Sequence, residues 1–280
     1  MSVRHRVAAT RILVSGLSSL MICSFGLSGA AAAQDGELDR PDIESGPPEY
    51  RVALFFRNDA FSADFSPWRE FSLQVSRSGE NGSIYGRLNQ ARRFGRDGTQ
   101  FEMDAYPKLG KGRYAYVNAG FANEGVFPTF RASGEVWQSL PGSSELSLGV
   151  RLLQFSEDVW LYTGSVAHYR GNYWIAARPW IRFRDGSYSA SVNLFIRRYK
   201  SGRDDYYGLI LGAGSGISEF DTAAELDRLS SYKIGAEGRK PLADRWFLRW
   251  KMLVEREEYR LDRTRTRYGV DLGMERRFMR

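Results

Sequence analysis

The chain has 280 residues, 42% of them hydrophobic and 14% aromatic, which is enough for one sizeable core or two small domains. Forty Lys and Arg against 33 Asp and Glu leave a formal charge of +7, which first suggests an anionic partner such as nucleic acid or a membrane surface. Cys23 is the one cysteine and no run of about eighteen apolar residues follows the N-terminal segment, so a disulfide framework and later transmembrane helices are excluded.

The first element is a targeting segment. Arg4, Arg6 and Arg11 precede an apolar stretch from Ile12 to Leu27, and small residues continue through Ala33. This order describes a secretory signal over residues 1–33, with an uncleaved membrane anchor as the rival reading. The well-formed small-residue zone favours cleavage, and Ile22 is too bulky before Cys23 for lipoprotein processing. Removing the segment takes away three Arg, no acid and Cys23, so the charge falls from +7 to +4 and no thiol chemistry remains. Stability in an oxidising compartment then comes from packing or from a membrane. Residues 34–49, acidic and broken by Pro41, Pro47 and Pro48, read as a flexible periplasmic lead-in.

From residue 50 onward the chain alternates. Phe71, Leu73 and Val75 oppose Glu70, Ser72 and Gln74; Phe101, Met103 and Ala105 oppose Gln100, Glu102, Asp104 and Tyr106. Phe130, Ala132, Gly134 and Val136 oppose Arg131, Ser133 and Glu135; further on, Ile175, Ala177, Pro179, Ile181 and Phe183 oppose Trp174, Arg178, Trp180 and Arg182. A period of two belongs to strands. Fourteen such segments follow one another, at 50–58, 67–77, 82–93, 98–107, 112–121, 127–139, 144–155, 158–167, 171–183, 187–199, 205–215, 231–241, 245–258 and 265–279. Most exceed the ~5–6 residues usual in globular sheets and match the ~9–11 that cross a bilayer with tilt. The predicted fold is therefore all-β, a transmembrane antiparallel β-barrel of 14 strands over residues 50–280, with 12 or 16 strands as the alternative counts. The connectors at 78–81, 109–112, 141–144, 169–172, 201–205 and 242–245 are short turns on the predicted periplasmic side, while 58–66 and 216–230 fall outside.

The sidedness follows from cost. One face carries Arg87, Glu102, Asp104, Arg131, Glu135, Arg151, Arg178, Arg182, Arg197, Arg249 and Lys251, together with Lys233, Glu237, Arg239, Glu255, Arg267, Asp271 and Glu275. Facing lipid, each Arg or Lys near the midplane would cost about 2–4 kcal/mol, and several would exceed a folding stability of about 5–15 kcal/mol. These residues are therefore predicted to line a wet lumen, where bases outnumber acids. The alternative, a soluble β-sandwich, would have to hold many Tyr, Trp and Arg-flanked positions in one core. Trp68, Tyr114, Trp137, Tyr162, Tyr173, Tyr188, Tyr207, Tyr232, Trp246 and Tyr268 fall near segment ends and are expected in interfacial girdles.

Four stretches, GRLNQARRFGRDGTQFEMDAYP (86–107), Phe127–Pro128, SLGVRLLQF (147–155) and YRGNYW (169–174), carry a resemblance. With them, the region from Tyr50 to Phe278 resembles the YaiO family of outer-membrane β-barrels; Gln100, Asp104, Ala105, Tyr106 and Pro107 are its most distinctive positions. The resemblance implies an integral Gram-negative outer-membrane protein of no firmly established activity. Implied partners are outer-membrane lipid and lipopolysaccharide, the barrel-assembly machinery, and polysaccharide-export components. Met279 and Arg280 follow Phe278, a departure from the usual terminal aromatic.

Chemistry finds little support. After the signal the one histidine is His168, beside a turn, and Ser165 three residues back alternates to the opposite face. There is no GxSxG, no cysteine or histidine cluster for zinc, and lumen carboxylates are outnumbered by bases. GAGSG (212–216) lacks the following Lys and helix of a phosphate loop and is expected to serve close packing or a bend. RRFGRDG (92–98) reads as a basic outer loop. No cofactor is expected, and the alternating bases form no nucleic-acid patch. What remains is a pore for small anionic solutes or a barrel linked to polysaccharide export. The alternatives are a closed structural or assembly-partner barrel and a rim hydrolase.

Overall fold

The computed structural model describes residues 48–62, 65–93, 95–123, 126–184, 187–215, 230–260 and 263–279. The signal segment 1–33 and nearly all of the 34–49 lead-in lie outside the described residues. Fourteen strands follow in chain order: β1 (Glu49–Phe61), β2 (Trp68–Gly79), β3 (Gly82–Arg93), β4 (Arg96–Gly110), β5 (Arg113–Ala122), β6 (Phe130–Leu140) and β7 (Ser144–Gln154), then β8 (Asp158–Arg170), β9 (Tyr173–Arg184), β10 (Ser187–Tyr199), β11 (Tyr206–Gly214), β12 (Ser230–Ala243), β13 (Trp246–Arg260) and β14 (Arg263–Met279). Each pairs antiparallel with its sequence neighbours, and β14 closes on β1 from Glu49↔Met279 to Phe61↔Arg267. The sheet is a closed barrel of fourteen strands, which removes the sandwich. Closure leaves no ladder edge to face hydrocarbon.

The two faces separate as their costs require. Leu54, Phe71, Leu148, Phe183 and Ile234 stand on the outer wall, while Glu102, Glu135, Arg178 and Arg197 are buried inside. Of the charged set, most members are buried, and Arg87, Lys233 and Asp271 are partly open. At the end where β1 begins and β14 finishes no connection is longer than the six residues between β10 and β11, whereas the other end carries seven between β5 and β6 and fifteen between β11 and β12; the end with the shorter turns is the periplasmic one. Strand pairing slips at 108/110 and 241/243 near this rim and at 258/260 near the other, as bulges do where a ladder stops.

Glycines make the interior fit. Across the strands Gly120 faces Arg131, Gly149 faces Glu135, Gly208 faces Arg197, and Gly273 faces Arg249. A Cβ on Gly120 would lie 2.9 Å from Arg131 Cγ, and one on Gly208 would lie 2.7 Å from the Ile196 carbonyl oxygen. Each bulky ion is thus admitted by a missing side chain opposite.

Two expectations need correction. Trp68, Tyr114 and Trp137 are buried inside the barrel and do not belong to an interfacial girdle; Tyr162, Tyr173, Tyr188, Tyr207, Tyr232, Trp246 and Tyr268 are exposed on the outer wall. Parity decides this: Trp68 shares a face with Glu70 and Gln74, and Trp137 with Arg131 and Glu135. The basic stretch 92–98 is mostly strand, because β3 runs to Arg93 and β4 starts at Arg96. Arg93 points inward and Arg92 outward.

Candidate functional site

The lumen is built as ladders of ions between aromatic layers. On β6 to β9, Arg178 grips Glu135 with both Nη atoms, at 2.9 and 2.8 Å, and donates to Thr163 Oγ1 at 3.2 Å. Arg151 approaches the same carboxylate at 3.6 Å and lies 4.7 Å over the Trp180 ring and 5.4 Å over Tyr116. On β3 to β6, Glu102 pairs with Arg131 at 2.8 Å and with Arg87 at 3.3 Å. Asp104 takes Arg87, Tyr116 Oη at 3.0 Å and Asn118 Nδ2 at 2.7 Å. Arg197 on β10 donates to Glu237 on β12 at 2.5 Å and is stacked 4.6 Å over Tyr206 and 5.2 Å over Trp174. Arg182 reaches Glu157 at 3.6 Å, Arg249 reaches Glu275 at 3.6 Å, and Lys251 reaches Asp271 at 3.6 Å. Burial without pairing would cost several kcal/mol per ion, and paired carboxylates and ring faces together offset that.

Between these ladders a cavity of about 150 Å³ remains, lined among others by Arg57, Glu70, Gln74, Arg87, Glu237, Arg249, Lys251 and Asp271. The charged and amide part of this wall suits water or a small ion, while Phe55, Tyr206 and Trp250 give the rest of it apolar surface.

The periplasmic mouth is narrowed in two ways. On the β3–β11 side, Tyr106, Tyr114, Tyr116, Trp137, Tyr169, Trp174 and Phe195 form one buried cluster. Tyr114 and Trp137 stack at 5.5 Å, and Tyr106 packs on Tyr116 at 5.1 Å. On the remaining side, the turn between β10 and β11 leans in and brings Asp204 to Arg239 on β12 at 2.9 Å, to Arg277 on β14, and to Arg51 on β1 at 4.0 Å. Arg277 also pairs with Glu49 at 3.0 Å, and Glu275 receives Arg51 at 3.3 Å and Arg239 at 2.5 Å. Burial would raise the Asp204 carboxyl, but Arg239, Arg51 and Arg277 outweigh it and hold it down from 3.8 to about 2.

At the opposite mouth Arg265 sits among four rings, 4.6 Å from Phe61, 4.8 Å from Phe65, 5.4 Å from Tyr259 and 5.5 Å from Trp68, and donates to Glu257 at 2.6 Å. Arg267 lies 4.8 Å over the same tryptophan and donates to Asp59 at 2.9 Å. Val126 and Phe127, in the connection between β5 and β6, tuck against Ala91, with Arg93 5.6 Å over the Phe127 ring.

Among the described residues, those weighed for nucleophilic or acid–base chemistry are held apart. His168 is on the outer wall at the periplasmic rim with Nδ1 3.0 Å from Ser144 Oγ, while Ser165 is buried inward. Neither His168 nor Ser144 has a carboxylate hydrogen-bonded to it among the described residues. No group of three or more His, Cys, Asp or Glu that could hold a metal occurs among the described residues. Gly212 and Gly214 serve close approach: a Cβ on Gly214 would lie 2.3 Å from Ser191 Cα.

Two features of the site were not foreseen from the sequence. Asp204 read as an ordinary turn residue, and no local pattern marks it. The inward glycines did carry a signal, since their parity places them on the charged face.

With this geometry in hand, residues 49–218 match the family model described as the YaiO membrane beta barrel domain. The chain belongs to the YaiO family. No curated protein matches its sequence. Among solved structures, the YaiO-family barrel is similar to the CymD monoaromatic hydrocarbon channel, at 4% identity and a TM-score of 0.57, over 85% of this chain and 90% of that one. It is also similar to the outer membrane protein Omp33 of Acinetobacter baumannii, at 9% identity and a TM-score of 0.51, over 82% and 99%. At such identities the likeness is one of fold. A YaiO-family membrane barrel of this shape is an outer-membrane protein of Gram-negative envelopes with a porin-like architecture, and lipid and the barrel-assembly machinery are its setting.

Proposed function

We propose that this barrel is a narrow channel with a preference for small anionic solutes. The observation that supports it is the sign of the interior: twelve Arg and Lys against nine Asp and Glu are buried among the described residues. A wall with excess fixed positive charge concentrates anions and repels cations. The narrowness follows from how the charges are held, with Arg151, Arg178 and Arg197 packed against Trp180, Trp137 and Trp174. A glycan chain is too wide for an interior so packed, so small solutes fit better than polysaccharide export. Lipopolysaccharide phosphates suit the outer rim, where Arg69 and Arg92 stand in register and face outward.

The test is conductance of the refolded protein in a planar bilayer under a salt gradient. Small steps with a reversal potential on the anion side support the reading. Cation selectivity overturns it. Silence at all voltages favours the second reading, a closed structural barrel, for which Trp174, Arg178 and Arg197 speak by being at most 2% exposed.

A further inference from the structure

On the outer wall at the periplasmic end, basic residues recur beside aromatic ones. Arg77 stands in register with Tyr50, Arg198 stands between Tyr173 and Tyr207, and Arg276 stands beside Trp246. Arg198 lies 5.7 Å over the Tyr173 ring and donates to Tyr207 Oη at 2.9 Å, and Lys200 Nζ is 5.4 Å from the centre of the Tyr207 ring. Arg276 lies 5.2 Å over Trp246 and 4.9 Å over Phe278. All five rings are between 37% and 42% exposed, half seated on the wall and half open to whatever surrounds it.

The charge of this rim differs from both the lumen and the far rim. Arg77, Arg198, Lys200 and Arg276 have no carboxylate partner among the described residues, whereas inside the barrel ion pairs are the rule. The exposed acids at this end outside the lumen, Glu80 and Asp244, sit in turns beyond the strands. At the far rim the signs mix on the strands: Arg92 faces Asp97 at 4.0 Å, and Arg256 and Glu258 share the outward face of β13.

We propose that the periplasmic rim is a binding surface for net-anionic glycerophospholipid headgroups. Interfacial Tyr and Trp rings settle at headgroup depth, and a guanidinium resting on such a ring is held at that level. Arg has five N–H donors in a planar fork, and Arg198 commits one of them to Tyr207, so the others remain for phosphate oxygens. A zwitterionic headgroup brings its own ammonium to the site and is repelled by these cations. A phosphatidylglycerol headgroup brings none. The site therefore selects on headgroup charge.

The experiment reconstitutes the full folded protein into vesicles of phosphatidylglycerol and phosphatidylcholine with identical acyl chains. Lipids that stay bound on release are counted by native mass spectrometry. At roughly 1 kcal/mol per basic residue near an anionic surface, a preference of about five-fold per cation is expected. Arg198→Gln with Arg276→Gln is expected to cut the preference for phosphatidylglycerol by about ten-fold or more, while the charge-matched far-rim pair Arg256→Gln and Arg263→Gln, the second exposed where β14 begins, leaves it unchanged. Heat-modifiable gel migration verifies that each variant is folded. Equal retention of the two lipids by the parent protein overturns the proposal, and so does an equal loss in both double variants. Channel activity does not enter the readout, so the result stands apart from the conductance reading.

Discussion

At the scale of single residues, a fully buried ion of the lumen cannot be altered alone. Glu135 is shared by Arg178 and Arg151, and the bidentate grip of Arg178 carries the geometry. Arg178→Ala leaves a carboxylate buried beside a more distant arginine, and a loss of about 3–5 kcal/mol is expected in urea unfolding followed by tryptophan fluorescence. Replacing the pair by Met and Gln of similar volume should cost far less, because neither partner is then left charged. Asp204 gives the pH counterpart. Its folded value lies below the ordinary one, so its contribution is complete above about pH 4 and is lost as pH falls through about 2. Hydrogen exchange in the 200–205 turn is expected to rise over that window. Asp204→Asn is expected to show the same loosening at neutral pH, read as faster tryptic cleavage after Lys200 or Arg203.

At the scale of strands, alternation was fully legible and contact was not. A period of two located all fourteen segments to within a few residues and told which face was ionic, because charge in lipid is too costly to tolerate error. It did not tell which ion meets which, since that depends on stagger between strands near and far in sequence: Arg197 finds Glu237 forty residues on. Trp68, Tyr114 and Trp137 were misplaced because closeness to a strand end was weighed above parity. Asp204 was invisible for a different reason, because a turn residue has no parity to read. Two substitutions test the strand account. Leu272→Arg, outward on β14, is expected to destabilise the barrel in lipid by about 2–4 kcal/mol, whereas Asp271→Asn on its inner face changes stability much less. Gly208→Ala drives a methyl toward the Ile196 carbonyl and Arg197, and overpacking of about 1–3 kcal/mol is expected, measured by the same unfolding.

At the scale of the whole molecule, the connection between β10 and β11 has a consequence for how the barrel is made. Through Asp204 it touches Arg51 near the start of β1, and Arg277 near the finish of β14. Those two strands are neighbours across the seam that closes the cylinder. Before the seam closes, Asp204 has Arg239 on β12 and Arg277 on β14 on its own side of the seam, and Arg51 on β1 is the partner it lacks. The Arg51 contact therefore records completion: it forms only on a cylinder whose seam has been sewn, and an intermediate arrested with a gaping seam is expected to show a 200–205 segment more open to protease than the closed barrel does. Protection of that short stretch would serve as a clock hand for the end of assembly.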